Sequence, residues 1–359
     1  MNAIPEALNA LPVLGIVFQF LGYVVGNLSF MSQTTVAVAV PIALAALCGA
    51  VCERSGVVNI GLEGIMLTAA FTGWMVGVAA VGILGRSDPL PVFGITPPLL
   101  IGVAAAIGIG MLVSLLHAWL SISARIDQII GGTIINIGAV GITGYLYHLV
   151  ANQSLIGAGS FKPLSVPKEV ADFPLVGWLA NAVLSQGPIG IVTIILVVFL
   201  QVMLFRSRWG LRTRAAGEHP RAAETVGIDV IRLRYLNVVM AGALAALAGA
   251  WLSMEHGSKF DANMTAGRGF IGLAAMIVGR WTPVGAFGAA LLFASATALS
   301  ASLTISPPTG DLGDLMARVP GEFWEALPYI ITIVVLAGLI GRSIAPAADG
   351  QPYERESAT

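Results

Sequence analysis

Residues 97–120 read PPLLIGVAAAIGIGMLVSLLHAWL, twenty-four positions without a single Asp, Glu, Lys or Arg. Coiled as an α-helix, this stretch rises about 36 Å, enough to cross the roughly 30 Å hydrocarbon core of a bilayer. Similar apolar runs flank it at Leu11–Leu28, Thr34–Cys52, Val57–Leu84, Ile126–Val150, Gly187–Phe205, Tyr235–Met254, Pro283–Leu303 and Trp324–Ile340. A tenth, Gly269–Gly279, has only eleven residues. The chain is 57% hydrophobic and 10% charged, with mean hydropathy +0.87, whereas soluble domains carry about 25% charge. Too little charge is present to clothe a water-facing surface. The expected fold is an all-α, polytopic transmembrane bundle of about ten spans.

Net charge is −1, which gives no pull on nucleic acid. Cys48 and Cys52 share one face of a helix and read as small packing residues. The four histidines are scattered, so no metal site is expected. Nor does any nucleophile, acid or base pair form a catalytic constellation. The first ten residues contain no Lys or Arg and no A-x-A site follows Leu28, so no cleavable signal is expected. Leu11–Leu28 reads as a retained first span or as a peripheral helix.

Basic residues orient the bundle. Arg206, Arg208, Arg212, Arg214, Arg221, Arg232 and Arg234 crowd the loop 206–234, which the positive-inside rule puts in the cytoplasm. Counting outward, Arg54, Arg125, Arg280, Arg342 and Arg355 also fall inside. Arg86, Lys162, Lys168, Lys259, Arg268 and Arg318 fall outside. Both termini are then cytoplasmic, provided that Gly269–Gly279 crosses. Eleven helical residues cover only about 16 Å, so this element is either extended by Asn263–Arg268 or is a broken helix.

A second interruption lies at the start of the third span. Ile60-Gly61-Leu62-Glu63-Gly64-Ile65-Met66 resembles Ile271-Gly272-Leu273-Ala274-Ala275-Met276-Ile277, and the two run in opposite directions across the membrane. An inverted repeat leaves such a trace, although chance similarity in Gly- and Ala-rich sequence explains it equally well. Glu63 needs a reason to be there, because a carboxylate at membrane depth is expensive. Either it lines a substrate path, or it sits near the cytoplasmic interface, paired with Arg54 or capping a helix. Asn59 and Asn136 are polar glue between helices or cavity lining. Around Asn136, the glycines of Gly131–Gly144 suit close packing or a polar ligand. Phe71, Trp74, Tyr145 and Tyr147 could stack on a base. Gly242–Ala250 is small on nearly every face and must pack against other helices.

Within the arginine-rich loop, Gly217-Glu218-His219-Pro220-Arg221-Ala222-Ala223-Glu224-Thr225-Val226-Gly227-Ile228 reads as a two-turn helix. Pro220 suits its first turn and Gly227 the position beyond its end. So short a helix is not stable alone and should dock on something, unless the loop is simply a solvated basic turn. This stretch, after Arg208-Trp209-Gly210-Leu211-Arg212, resembles the coupling loop of ABC importer permeases of the simple-sugar, nucleoside and branched-chain amino-acid group. The stretches Glu53–Gly64 and Met264–Met276 are similar to those of the nucleoside-type permeases.

The resemblance, which runs from about Pro41 to Leu339, implies a permease domain at 34–341, after an N-terminal helix in 1–33 and before a cytoplasmic tail at 342–359. It implies that Gly217, Glu218, Pro220, Ala222, Ala223, Gly227 and Ile228 couple to an ATPase. Asn59, Glu63, Asn136 and Phe270 become candidates for the substrate pathway. It further implies a second, related permease, an ATPase subunit that binds the ATP, and an extracytoplasmic substrate-binding lipoprotein. No cofactor is expected in this chain, since no G-x-x-x-x-G-K-[ST] loop is present. Nucleosides are the first expectation for the cargo, then simple sugars, then branched-chain amino acids. An ion-coupled secondary transporter would want titratable groups at mid-membrane. Only Glu63 approaches that, with Asp127 at a span start beside Arg125.

Overall fold

A computed structural model describes residues 12–85, 88–151, 156–171, 173, 177–334, 337 and 343–354. Arg86, Arg342, Arg355, Leu11 and the end of the expected span Trp324–Ile340 lie outside the described residues. Among the described residues fifteen α-helices follow one another: α1 Pro12–Gly26, α2 Leu28–Glu53, α3 Leu62–Leu84, α4 Pro97–Ala118, α5 Gln128–Val150, α6 Lys168–Ala171, α7 Gly177–Leu184, α8 Pro188–Arg206, α9 Arg208–Glu218, α10 Pro220–Thr225, α11 Val230–Ala250, α12 Arg268–Val278, α13 Pro283–Ile305, α14 Asp311–Ala317 and α15 Gly321–Val334. A π-helical turn extends α4 through Trp119–Ser123, and another extends α11 through Trp251–His256. Among the described residues there is no strand. Seven of these helices (α2, α3, α4, α5, α8, α11 and α13, counting the π turns) are long and apolar enough to cross a membrane. The chain is a polytopic helical membrane protein.

Seven of the expected spans reappear, with ends fixed by local chemistry. Thr96 caps α4 by accepting the Leu99 N–H, and Pro97 and Pro98 occupy its first turn. Asp127 caps α5, its Oδ1 accepting the N–H groups of Ile129 (2.9 Å) and Ile130 (3.0 Å). That is a structural task for a carboxylate at a span start.

The chain divides into two compact units. One comprises 39–164, 187–290 and 340–359. At its centre α3, α4 and α11 pack with almost no side-chain bulk between them. A Cβ on Gly249 would collide with Met66 O, and the Gly110 face meets Ala246. The expectation for Gly242–Ala250 is thereby met. The glycines of α5 behave differently. Only Gly132 makes a close approach, while a methyl group added at Gly131, Gly138, Gly141 or Gly144 would meet nothing within 4 Å. Ile134, Ile137, Ile142 and Tyr145 of the same helix are exposed, an apolar surface that suits lipid or another membrane subunit.

The other unit comprises 1–38, 165–186 and 291–339. In it Tyr23 Oη meets Ser302 Oγ at 2.7 Å, and Gln19 Oε1 accepts the Leu312 N–H at 3.1 Å. Helical hydrogen bonds run across the single residue between α1 and α2: Asn27 N–H donates to Tyr23 O (3.0 Å) and Met31 N–H to Asn27 O (2.9 Å). The chain does not reverse there. Both readings of Leu11–Leu28, a retained span and a peripheral helix, are therefore of a helix that runs on in line into α2.

Candidate functional site

The third span starts later than its hydropathy suggests. Helix α2 ends at Glu53, and Ser55, Gly56 and Val57 donate back to Cys52 O, Glu53 O and Cys52 O. Gly56, at φ +89°, provides the left-handed turn that ends many helices. Residues 57–61 then run without helical bonds until α3 begins at Leu62. Unpaired backbone is not tolerated in hydrocarbon unless protein satisfies it, and here side chains do so. Val58 N–H donates to Gln128 Oε1 (2.7 Å), and Val58 O faces His117 Nε2 (2.9 Å). Asn136 Nδ2 donates to Ile60 O (2.9 Å), while its Oδ1 accepts the Gly64 N–H (2.7 Å). A Cβ on Gly132 would lie 2.7 Å from Gly61 N, so only glycine lets α5 come this close.

Glu63 does not pair with Arg54. Its Oε1 accepts the Gly267 N–H (2.8 Å) and its Oε2 the Gly269 N–H (2.6 Å), at the N-terminus of α12. A buried carboxylate on two amide donors at a helix start is the favoured sign of charge against the macrodipole. Glu63 thus caps a helix, and the helix capped is the other interrupted one. Glu63 Oε2 lies so near the Gly269 backbone that a Cβ there would collide with it.

Arg54 serves the opposite end of α12. Its Nε donates to Trp281 O (3.0 Å) and its Nη2 to Arg280 O (3.1 Å), just past Val278. The Trp281 indole N–H donates to Glu53. Arg280 and Trp281 both adopt left-handed backbone (φ +55° and +53°), a strained pair held by these contacts. Two charged residues nine positions apart therefore bracket an eleven-residue half helix, each matching the dipole end that it meets.

Asn59 is fully buried, its Nδ2 3.8 Å from Cys52 Sγ and its Oδ1 without a hydrogen-bond partner among the described residues. Phe270 follows the Glu63 contact on α12, but it is 46% exposed. Asn59, Glu63 and Asn136 thus gather around one irregular segment, and the Phe270 side chain stands apart from them. Three of the four aromatic residues converge, joined by Phe260, which sequence reasoning missed. Phe260 lies 5.2 Å from Phe71 and 5.3 Å from Tyr147 between ring centroids, with Trp74 at 6.3 Å. Tyr145 is exposed and takes no part in this cluster.

The loop 206–234 holds two helices, not one. Ser207 caps α9 by accepting the Gly210 N–H (3.1 Å). Helix α10 runs from Pro220 to Thr225, and the chain turns just past its end at Gly227 (φ +83°), where Gly227 N–H returns to Glu224 O (2.9 Å) and Ile228 N–H to Ala223 O (3.1 Å). Ala223 is buried with Ala216, Val230, Leu233 and Tyr353, and Ile228 packs against that group. Ala222 remains exposed. Gly217, at the end of α9, touches the 54–56 turn so closely that a Cβ would collide with Arg54 O. Glu218 Oε2 accepts the Ala347 N–H (3.1 Å). Arg234, only 1% exposed, donates to Ser55 O (3.0 Å) and to Gln351 O (3.0 Å). Sequence reasoning missed this role, because the partners lie more than a hundred residues away in the chain. The loop is thus docked on the turn that precedes the first interruption. It is not a solvated basic turn.

Residues 31–341 match the family described as "Branched-chain amino acid transport system / permease component". The chain is 36% identical over 332 residues to the guanosine ABC transporter permease protein NupQ of Bacillus subtilis, covering 92% of this chain and 98% of that one. It is 33% identical to the nucleoside ABC transporter permease protein NupC of Lactococcus lactis, with the same coverage. A putative glucose ABC transporter permease of Haloferax volcanii is 30% identical over 90% of this chain and 97% of its own. With a bracketed half helix on one side of the 54–56 turn and a docked pair of loop helices on the other, and with that match over most of its length, this chain belongs to the branched-chain amino acid transport system permease family.

Proposed function

We propose that this chain is the membrane-spanning permease subunit of an ABC importer for nucleosides. The observation that carries the reading is similarity over nine-tenths of the chain to permeases named for guanosine and nucleosides. ATP is bound by a separate ATPase subunit, which docks at α10. A second, homologous permease and an extracytoplasmic substrate-binding lipoprotein complete the transporter. The loop 206–234 faces the cytoplasm, and residues 343–354, bonded to it, share that side.

The contacts suggest how force would travel. Displacement of α9 and α10 moves Gly217, which lies so close to the Arg54 carbonyl that no side chain would fit between them. Arg54 holds one end of α12, and the segment after it leads to Glu63, which holds the other. A push on the loop is thereby converted into tilting of a half helix beside the irregular segment 57–61. Asn59, Glu63, Asn136 and Phe270 border the substrate route in this scheme.

The test is copurification of the tagged chain with its genomic neighbours, followed by uptake in proteoliposomes with a panel of nucleosides. Recovery of an ATPase and a second permease, with guanosine or another nucleoside stimulating ATP hydrolysis, is the expected result. A chain that comes out alone and transports in an ion gradient overturns the reading. A simple sugar is the second candidate cargo, favoured by the glucose-type relative; stimulation by a hexose or pentose and not by nucleosides selects it.

A further inference from the structure

The C-terminal segment is bound along its length to the coupling helices. Ala348 N–H donates to Gly217 O at 2.8 Å, and Ala347 N–H to Glu218 Oε2 at 3.1 Å. The Tyr353 hydroxyl bonds the Glu224 carboxylate, and Glu354 pairs with Arg125. The Tyr353 ring belongs to the small core beneath α10, and the Arg234 guanidinium lies 5.8 Å from its centroid. Folded back in this way, the segment does more than bury its own surface. Between it and α10 opens a cleft of about 700 Å³, with Arg234 in its lining, Glu218, Pro220 and Ala222 from one side and Gln351 and Pro352 from the other.

This cleft does not look like a small-molecule pocket. Such pockets are lined mostly by apolar and aromatic groups with a few polar ones, whereas here four charged side chains, Glu218, Arg221, Arg234 and Glu354, share the lining with prolines and alanines. Charges of both signs suit a protein surface carrying both in turn. Val226, at the end of α10, is 75% exposed on a loop that faces water. A surface that mixes exposed apolar groups with charges of both signs has the makeup of a non-obligate protein interface.

We propose that the cleft between α10 and residues 347–354 receives the ATPase subunit, so that the C-terminal segment forms the second wall of its docking site. The proposal rests on the importer reading above. It differs from docking on α10 alone in giving the partner two surfaces that are held together by Tyr353–Glu224 and Arg234–Gln351. The partner's motion is then delivered both to α10 and, through Arg234, to the 54–56 turn.

The experiment uses the whole transporter, with a photo-crosslinking amino acid at Ala222 or at Gln351. Crosslinks to the ATPase from both positions are expected. A crosslink from Ala222 alone, or one from Gln351 to another permease chain, overturns the proposal and leaves the importer reading standing. An ATPase that neither copurifies nor crosslinks from either position overturns both. A second measurement guards against a disturbed segment. Tyr353→Phe keeps the ring in its core but removes the bond to Glu224, and is expected to weaken ATPase retention about threefold to tenfold. Deletion of 346–359 should weaken it further, and unchanged retention in the deletion also overturns the proposal.

Discussion

The two interrupted helices share a sequence pattern and are held by different chemistry. At the start of α3 the free backbone is satisfied by neutral groups, Gln128, His117 and Asn136, supplied by the neighbouring helices α4 and α5. At the start of α12 a single carboxylate, Glu63, takes two amide donors, and a guanidinium, Arg54, takes the carbonyls beyond the other end. Neutral amides fix one approach geometry and have little reach. Charged groups make stronger hydrogen bonds and also match the sign of the dipole end that they meet. In the coupling scheme proposed above, the first interruption is then the anchor and the second the element that moves. The charged residues for the mobile one are both supplied by the anchored segment, at either end of 54–63.

The comparison breaks most sharply at Glu63. Replacing it with Ala strands two buried N–H groups and removes a charge matched to the dipole, at roughly 3 kcal/mol or more. For a protein of this size that corresponds to a fall in Tm of about 4 °C or more in detergent, with uptake lost. Glu63→Gln keeps an acceptor and loses the charge, so about half the thermal shift should return. If Gln restores the Tm fully, hydrogen bonding and not charge holds α12, and the contrast between the two helices is void.

Asn136→Ala tests the anchored side. Two bonds are lost, one to Ile60 O and one from Gly64 N–H, at roughly 2 kcal/mol in total. Tm should fall by about half the Glu63→Ala amount, and uptake should fall with it in proportion to folded protein. A variant with native Tm and no uptake would instead place Asn136 among the groups that meet the cargo, and the anchor would have to be sought elsewhere.

What could be read from the sequence was local. Spans, the Pro220 start and Gly227 end of α10, the small faces of Gly242–Ala250 and the likeness of Ile60–Met66 to Ile271–Ile277 all have short-range signatures. What could not be read was the set of partners. Glu63 meets Gly267 and Gly269, Arg54 meets Arg280, and Tyr353 meets Glu224 across separations of about 130 residues or more. No periodicity records such pairings. Phe260 was missed for the same reason, since it stands between Lys259 and Asp261 in a polar loop and becomes aromatic core only when α3 and α5 close around it. Hydropathy also misled at Val57–Ile60, because an apolar segment satisfied by side chains has the same composition as a helix.

The smallest effect, and the one that most sharpens the comparison, belongs to Arg54. Its carbonyl lies against Gly217 of α9 while its guanidinium holds the far end of α12. It is partly solvated, with burial lowering the guanidinium pKa and Glu218 opposing that shift, so its contribution to stability is modest. Arg54→Gln should cost only about 1 kcal/mol, a Tm change of roughly 1–2 °C. Its effect on coupling should be larger, because the half helix is then held at one end only. The quantity to measure is substrate moved per ATP hydrolysed in the reconstituted transporter, for Arg54→Gln beside Arg54→Lys. A ratio lowered severalfold by Gln and partly kept by Lys means that the charge at this end carries the stroke from the loop to α12. A ratio unchanged in both means that the stroke passes through backbone packing at Gly217 alone, and that α12 is held from the Glu63 end.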